Sequence, residues 1–419
     1  MPRNVKMNSF TGMNNVKASE GLFVAKGGVV EPRIILNADV TQKGRLVKRD
    51  GQTKVISLTD GHSEWAGATC HLVMDGTTLK RISGETATTI EDIGGLKTEM
   101  FYAEVGDKVY LSSKYYNGIF DPETDTISVW GITLPEGPVL SSTTGGLPAG
   151  RYKVTLTQNP ATSGDDISGN GPVSGITLAA EGGISISNRP SGAIVWCTDP
   201  NGDKFFKVGE TDAIVNPVSV EPLPSFLCSP PPFMECITHA FGRMWGMRDN
   251  FLYYSESFHF GWWKLGGNRF RFATNGVLIA KVWSGLFVGC EDRTKFMKGT
   301  KPQEMQEMDV GAGAVSLKPA YCNNIIELGD TISPPEKKHH SVPVWVSKEG
   351  FVAGNPAGRL FSLSQRKVKF APGATGAMLH RMKNGQFQVL SSFPRGGVNS
   401  GLDISDDATC EVVRNGVVI

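Results

Sequence analysis

Glu256, Glu291 and Asp292 offer the chemistry that is easiest to write down: two carboxylates flanking a glycosidic bond, one protonated and one ionised, cleave it. All three fall at or just after segments with a strand pattern. Spacing along the chain does not set their separation, and acids at strand ends are ordinarily salt-bridged or solvated. Metal donors are present too. Cys228, Cys236 and His239 are close in sequence, and Cys236-Ile-Thr-His239 has a ligand-like spacing. A structural zinc takes four ligands, and no fourth is near, so the group reads as buried thiols beside a strand-borne histidine. His339-His340 sits in a basic, proline-flanked stretch that reads as a solvated loop. Asp121, Glu123, Asp125 and the pair Asp165-Asp166 carry the oxygens calcium prefers, but acidic turns need no ion. Gly311-Ala-Gly-Ala-Val-Ser ends in Ser where a dinucleotide fingerprint has Gly or Ala, and no βαβ unit surrounds it. The nucleophile elbow, the zinc-protease helix, the phosphate loop and the EF-hand loop are all missing from the sequence. The chain therefore reads as a non-enzyme with no cofactor and no metal.

The elements that carry these residues follow from composition and period. The 419 residues include 50 glycines, about 12 %, without the strict third-position repeat of collagen. The surplus belongs in turns. With 42 Lys+Arg against 41 Asp+Glu the formal charge is +1, which excludes a protein that grips nucleic acid through a large cationic excess. The N-terminus has no apolar run of the signal-peptide kind, and no stretch reaches the ~18 apolar residues of a membrane span. Seven scattered cysteines without a Cys-x-x-Cys pair predict reduced, mostly buried thiols made in a cytosol.

The hydrophobic period is two wherever it can be read, as in Lys54-Val-Ile-Ser-Leu, Lys108-Val-Tyr-Leu, Tyr152-Lys-Val-Thr-Leu-Thr and Val344-Trp-Val-Ser. Asp75-Gly76, Asn117-Gly118, Asn201-Gly202, Asn275-Gly276, Asn384-Gly385 and Asn415-Gly416 are dipeptides of two-residue hairpin turns. Strand–turn–strand units recur at roughly 30 to 60 residues, the scale of four-stranded propeller blades that must stack to bury two apolar faces. The expected fold is all-β: a β-propeller of five to seven blades. From about residue 137 to 224 the rhythm changes, between proline-rich edges, and this stretch has the size of an immunoglobulin or fibronectin type III-like β-sandwich. The expected organisation is an N-terminal segment with the first blades over 1–136, the inserted sandwich over 137–224, and the remaining blades over 225–419. The C-terminal Cys410-Glu-Val-Val-Arg-Asn-Gly-Val-Val-Ile is expected to pair with the N-terminal strands and close the propeller.

Three stretches carry a family likeness: Phe10-Thr-Gly-Met-Asn-Asn-Val followed by Pro32-Arg-Ile-Ile-Leu-Asn-Ala-Asp-Val through Gly51; Pro148-Ala-Gly-Arg-Tyr with the later Phe205-Phe; and Phe241-Gly-Arg-Met-Trp-Gly-Met with Leu252-Tyr-Tyr-Ser-Glu. In these the chain resembles the tail nozzle, or tail hub, proteins of short-tailed bacteriophages. The resemblance implies a virion structural component, assembled in the host cytoplasm as a ring of like copies around the channel through which DNA leaves. It further implies other tail or adaptor proteins as partners and passage of DNA without specific binding, which a near-neutral chain permits. A ring of one chain needs a heterologous interface that closes on itself. Phe258, Phe260, Trp262 and Trp263, in Phe258-His-Phe-Gly-Trp-Trp-Lys, are the expected interface residues, because aromatic anchors dominate such contacts. The alternatives are a carbohydrate-binding or glycoside-cleaving propeller, with Glu256 and Glu291 or Asp292 as its acids, and a tail adaptor or fibre-attachment protein.

Overall fold

The structure is a computed structural model, and it describes residues 56–159, 167–217, 220–314 and 342–363, together with the backbone of a few strands outside them. His339, His340, Asp165 and Asp166 lie outside the described residues, as do Asn384-Gly385 and Asn415-Gly416. Apart from one 3-10 turn at Pro302–Glu304, every regular element among the described residues is a strand.

Five short strands come first: β1 (Ser9–Phe10), β2 (Phe23–Ala25), β3 (Val29–Glu31), β4 (Ala38–Val40) and β5 (Leu46–Lys48). Among the described residues they pair in the orders β1-β3-β2 and β4-β5. Sheet I is β6 (Gly61–Ala66), β7 (His71–Asp75), β8 (Thr78–Ser83) and β9 (Thr86–Asp92). Sheet II is β10 (Phe101–Val105), β11 (Lys108–Ser112), β12 (Asn117–Asp121) and β13 (Thr126–Val129). Seven strands then depart from the series: β14 (Leu140–Leu147), β15 (Gly150–Gln158), β16 (Ser174–Leu178), β17 (Gly182–Ile186), β18 (Ala193–Thr198), β19 (Phe205–Gly209) and β20 (Ala213–Ile214). The series resumes in sheet III, β21 (Glu235–Ala240), β22 (Arg243–Arg248), β23 (Phe251–Tyr254) and β24 (Arg269–Arg271), and in sheet IV, β25 (Gly276–Val282), β26 (Gly285–Cys290), β27 (Arg293–Lys298) and β28 (Gln306–Ala312). Sheet V is β29 (Ala320–Cys322), β30 (Val342–Ser347), β31 (Gly350–Gly354) and β32 (Leu360–Ser362). A last sheet holds β33 (Ala377–Lys383), β34 (Gln386–Ser392) and β35 (Thr409–Val413). In sheets I to V each strand pairs antiparallel with the next, a simple meander.

Strand parity explains how the sheets stack. In β10, Phe101 and Ala103 join the core shared with sheets III and IV, while Tyr102 joins the core shared with sheet I. In β26, Leu286, Val288 and Cys290 face sheet III and Phe287 faces Trp345 of sheet V. Because side chains alternate across a strand, one parity is buried against the preceding sheet and the other against the following one. This is why all six residues of β26 and of β30 are buried while the outermost strand β28 is largely exposed. Sheets II and III share a core although β14–β20 lie between them in sequence.

The seven intervening strands form two sheets, β14-β17-β20 and β16-β15-β18-β19. Leu147, Tyr152, Val154, Leu156, Leu178, Ile184, Ile186, Val195, Cys197 and Ile214 make one buried core from both. The opposite face of the four-stranded sheet buries Ile194, Trp196 and Phe205 against Leu223.

Among the described residues β35 pairs with β34 and not with β1–β5, while 414–419 of the expected closing segment lie outside them. One sequence expectation is corrected. Asn117-Gly118 and Asn275-Gly276 begin strands rather than making hairpin turns: Asn117 Nδ2 donates to the carbonyls of Pro231 and Pro232, and Gly276 opens β25. Several tight turns instead place glycine first at positive φ, as at Gly76, Gly84 and Gly106, the II′ arrangement whose twist also suits a hairpin.

Candidate functional site

The segment between β23 and β24, Ser255 to Asn268, holds the aromatic quartet and Glu256. Its backbone is folded back on itself: Glu256 N–H donates to Trp262 C=O at 2.8 Å and Trp262 N–H to His259 C=O at 3.2 Å. His259 stacks on Trp262, ring centroids 4.0 Å apart and 12° from parallel. Trp263 and Ser229 exchange backbone hydrogen bonds at 3.0 and 2.9 Å, a one-pair ladder that seizes the chain returning from the seven-stranded unit.

The four aromatics have different roles. Trp263 is fully buried, and its indole N–H donates to Phe260 C=O at 2.8 Å. The same carbonyl accepts from Trp130 Nε1 at 2.9 Å, and the two indoles meet edge to face at 6.0 Å. Trp262 is 7 % exposed and its Nε1 donates to Ile167 C=O at 2.6 Å, next to the cluster on the outer face of the four-stranded sheet. Phe260 is half-buried, with its ring against Tyr110 at 5.7 Å and His239 at 5.4 Å. These three residues join sheets II and III to the seven-stranded unit. They bury apolar area and satisfy indole donors within the chain, which leaves Trp262 and Trp263 little surface for a second molecule. Phe258 is 77 % exposed. It adopts φ 59° and its N–H donates to Gly242 C=O at 2.7 Å, which props the ring outward over the β21–β22 turn. That turn, Phe241-Gly242, has positive φ at both residues, and a Cβ on Gly242 would come within 2.9 Å of the Phe258 ring.

Sequence reasoning placed the quartet together but did not find its partners Trp130, Ile167 and Ser229. Only the tryptophan could have been suspected, as a large donor-bearing ring that is seldom left on a sheet edge.

Glu256 has charged neighbours on two sides. Lys264 Nζ is 3.0 Å from Oε1, Asn268 Nδ2 donates to the same oxygen at 3.0 Å, and Arg243 Nη1 is 3.7 Å from Oε2. Burial alone would push this carboxyl up, but the bonds from Lys264 and Asn268 and the charges of Lys264 and Arg243 outweigh it and hold it below its ordinary value. A glycosidase general acid needs the opposite shift. Asp292 accepts from Thr274 Oγ1 at 2.5 Å, which lowers it, and Glu291 is exposed.

The remaining candidates are likewise held by local partners. Asp121 pairs with Lys108 at 2.8 Å and Asp125 with Arg81 at 2.6 Å, the Lys108 bond holding Asp121 low. Cys236 Sγ–H donates to Val277 C=O, and Cys228, Cys197 and Cys290 are buried thiols outside any disulfide. Burial pushes the Cys197 and Cys290 thiols up to about 12. His239 is kept below its ordinary value by burial, then by the charge of Lys281. No group of three or more His, Cys, Asp or Glu suited to a metal occurs among the described residues. A cleft of about 60 Å³ lined by Met74, Ile93, Leu96, Tyr115 and Tyr116 lies between sheets I and II, well below the ~300 Å³ at which small-molecule sites begin. No helix among the described residues is long and apolar enough to cross a membrane.

No model of a known protein family matches the chain, and no curated protein matches it. Among solved structures, the chain is similar to the β-propeller domain of Myceliophteria thermophila Cps50 (Swd1), at 9 % identity over 84 % of this chain and 99 % of that one, with a TM-score of 0.30. It is also similar to the computationally designed Ika8 protein, at 12 % identity over 85 % and 99 % with a TM-score of 0.25. Citrobacter koseri AztD aligns at 11 % identity over 72 % and 85 % with a TM-score of 0.27. At such scores the description of the fold rests on strand pairing and core packing: the chain is an all-β protein of consecutive antiparallel sheets.

Proposed function

We propose that this protein is a structural subunit of a bacteriophage tail, a nozzle or hub component that assembles with copies of itself into a ring around the DNA exit channel. In this reading sheets I to V are propeller blades, and β14–β20 are an immunoglobulin or fibronectin type III-like sandwich inserted between the second and third. The blade reading is supported by the parity of β10 and β26, which bury alternate residues against the sheets on either side. The sandwich reading is supported by its two-sheet core and by Tyr152, whose hydroxyl donates to Pro148 C=O at 2.8 Å. A tyrosine near the start of a strand, bonded to the backbone a few residues upstream, is the bonding pattern of the tyrosine corner of such sandwiches, carried here by the second strand of the unit.

The observation that carries the functional reading is the division of labour in Phe258-His-Phe-Gly-Trp-Trp. Three aromatics are spent on locking the inserted unit to sheets II and III, and the fourth is held outward. That arrangement makes a rigid body with a protruding apolar anchor, which is what a ring subunit requires. Native mass spectrometry and negative-stain microscopy of the purified chain test it. Closed rings that Phe258→Asp converts to folded monomers are expected. A chain that stays monomeric at every concentration and has no affinity for other tail proteins overturns the proposal.

A further inference from the structure

A second surface lies on sheet III, away from the quartet. In the pairing register Arg248 stands opposite Phe251, Phe251 opposite Arg271, and Tyr253 opposite Arg269, so these five residues share one face. All three arginines are exposed, and Phe251 and Tyr253 are half-buried beneath them. The guanidinium carbons of Arg269 and Arg271 lie 4.8 and 5.9 Å from the centroid of the Phe251 ring. None of the ion pairs among the described residues involves Arg248, Arg269 or Arg271. Charge on an edge strand is a common device against unwanted pairing, but solvated lysines do that without an aromatic bed. Here the ring fixes two guanidiniums and leaves their N–H edges available, the form in which arginine binds planar oxyanions best.

The backbone adds a second feature. β24 is the terminal strand of its sheet. Tyr254 N–H donates to Asn268 C=O at 3.1 Å and Phe272 N–H to Asn250 C=O at 2.8 Å. Alternation then turns the backbone groups of Asn268, Phe270 and Phe272 toward β23 and those of Arg269 and Arg271 away from the sheet. Arg269 N–H is taken by Gly267 C=O at 3.0 Å, which leaves the Arg271 N–H and the Arg269 and Arg271 carbonyls on the open edge. The residues with outward-facing backbone groups are thus the residues whose side chains carry the charge.

We propose that the β24 edge of sheet III binds an extended acidic segment of a partner protein, which adds as a fifth strand and sets carboxylates at alternate residues against Arg269 and Arg271, with Arg248 completing the charged face. Alternate side chains on an added strand repeat at about 6.6–6.8 Å, the same repeat that separates Arg269 from Arg271. Main-chain bonds to the edge supply affinity and the side chains supply selectivity, as in other strand-addition complexes. A nucleic acid backbone would satisfy the guanidiniums alone and make no use of the open edge.

The test titrates the full chain against a fluorescein-labelled, end-blocked Thr-Glu-Val-Glu-Val-Glu-Thr peptide by anisotropy. Its controls are the same peptide with lysine for glutamate, a copy N-methylated at the residues that face β24, and a labelled oligothymidylate. The expected result is saturable binding of the acidic peptide below about 1 mM, weakened about tenfold or more by Arg269→Gln/Arg271→Gln and by N-methylation, and absent for the lysine peptide. Near-ultraviolet circular dichroism establishes that the variant is folded, and the single variant Arg271→Gln provides an intermediate loss in a less altered edge. No binding below about 1 mM overturns the proposal. So does equal binding of the lysine or N-methylated peptide, or an oligothymidylate that binds more tightly than the acidic peptide.

Discussion

Truncating Trp263 and Phe258 separately tests the division of labour within the aromatic segment. Trp263 is 0 % exposed, sits in the core shared by sheets II, III and IV, and packs edge to face on Trp130. Trp263→Ala removes a fully buried indole from a site pinned by backbone bonds to Ser229 and therefore slow to collapse, so the cost falls at about 3–5 kcal/mol. Trp263→Phe keeps most of the volume, and Phe260 C=O still accepts from Trp130 Nε1, so no buried carbonyl is orphaned and the loss is nearer 1–2 kcal/mol. Phe258 is 77 % exposed. With less than a quarter of its surface buried, Phe258→Ala forfeits at most about a quarter of the ~1.5–3 kcal/mol that full burial of such a side chain is worth, below about 0.7 kcal/mol. Urea unfolding followed by far-ultraviolet circular dichroism measures all three, with hydrogen exchange at Ser229 and Trp263 reporting the local ladder. If Trp263→Ala lies within about 0.7 kcal/mol of the parent, or if Phe258→Ala costs as much as Trp263→Ala, the assignment of one residue to the core and the other to the surface is refuted.

Other outcomes follow from the same geometry. Tyr152→Phe deletes the bond to Pro148 C=O and is expected to lower stability by about 1 kcal/mol in urea titration. Gly242→Ala places a Cβ at φ 68° and within 2.9 Å of the Phe258 ring, a cost of about 1–2 kcal/mol by the same measurement. Glu256 is held below its ordinary value in the folded chain, so its contribution is present above the unfolded carboxylate range and is lost as pH falls through the folded value. The parent should therefore lose stability between neutral and acid pH, and Glu256→Gln should flatten that part of the profile. His239 is shifted the other way for its class: its folded value is lowered, so below the unfolded value of 6.5 the unfolded state takes up more protons and stability declines with falling pH. Comparing unfolding free energies of the parent and His239→Gln at pH 7.5 and about 5.5 checks this, and a pH dependence unchanged in the variant contradicts it.

The period-two pattern that made the chain legible as all-β is clearest where only one parity is fully buried, as in Val109 and Leu111 of β11, which alternate with half-buried Lys108 and Tyr110. It fades in Leu286-Phe287-Val288, because both parities there are buried against different sheets, and a strand buried on two faces reads as a continuous apolar run. Hairpins were legible from glycine in number and less so in place. Asn-Gly is favoured where both central residues are left-handed, but a Gly-first turn needs only one, and at Phe241-Gly242 a phenylalanine takes the left-handed position outright. Its cost is offset locally by the Phe258 N–H bond to Gly242 C=O. The quartet was visible as a cluster of aromatics, but its partition into buried Trp262 and Trp263, half-buried Phe260 and exposed Phe258 was not, since Trp130 and Ile167 are brought to it from far along the chain.

The position of the seven-stranded unit explains why that partition is necessary. Sheets II and III are neighbours in the core, yet the chain leaves after β13, builds β14–β20, and returns at β21. Two connections must therefore run side by side across the same edge, and each brings polar backbone that needs partners once it is covered. Outgoing Trp130 donates to Phe260 C=O, returning Ser229 pairs with Trp263, and Ile167 within the unit accepts from Trp262. A single segment between β23 and β24 satisfies all three, with two indoles reaching in different directions. Met234 and Ser112 reinforce the crossing from the other side, where Ser112 Oγ donates to Met234 C=O at 2.8 Å and accepts from Met234 N–H at 3.1 Å. The unit is consequently tied down by hydrogen bonds from sheets II and III, to which Trp262 and Trp263 contribute and exposed Phe258 does not.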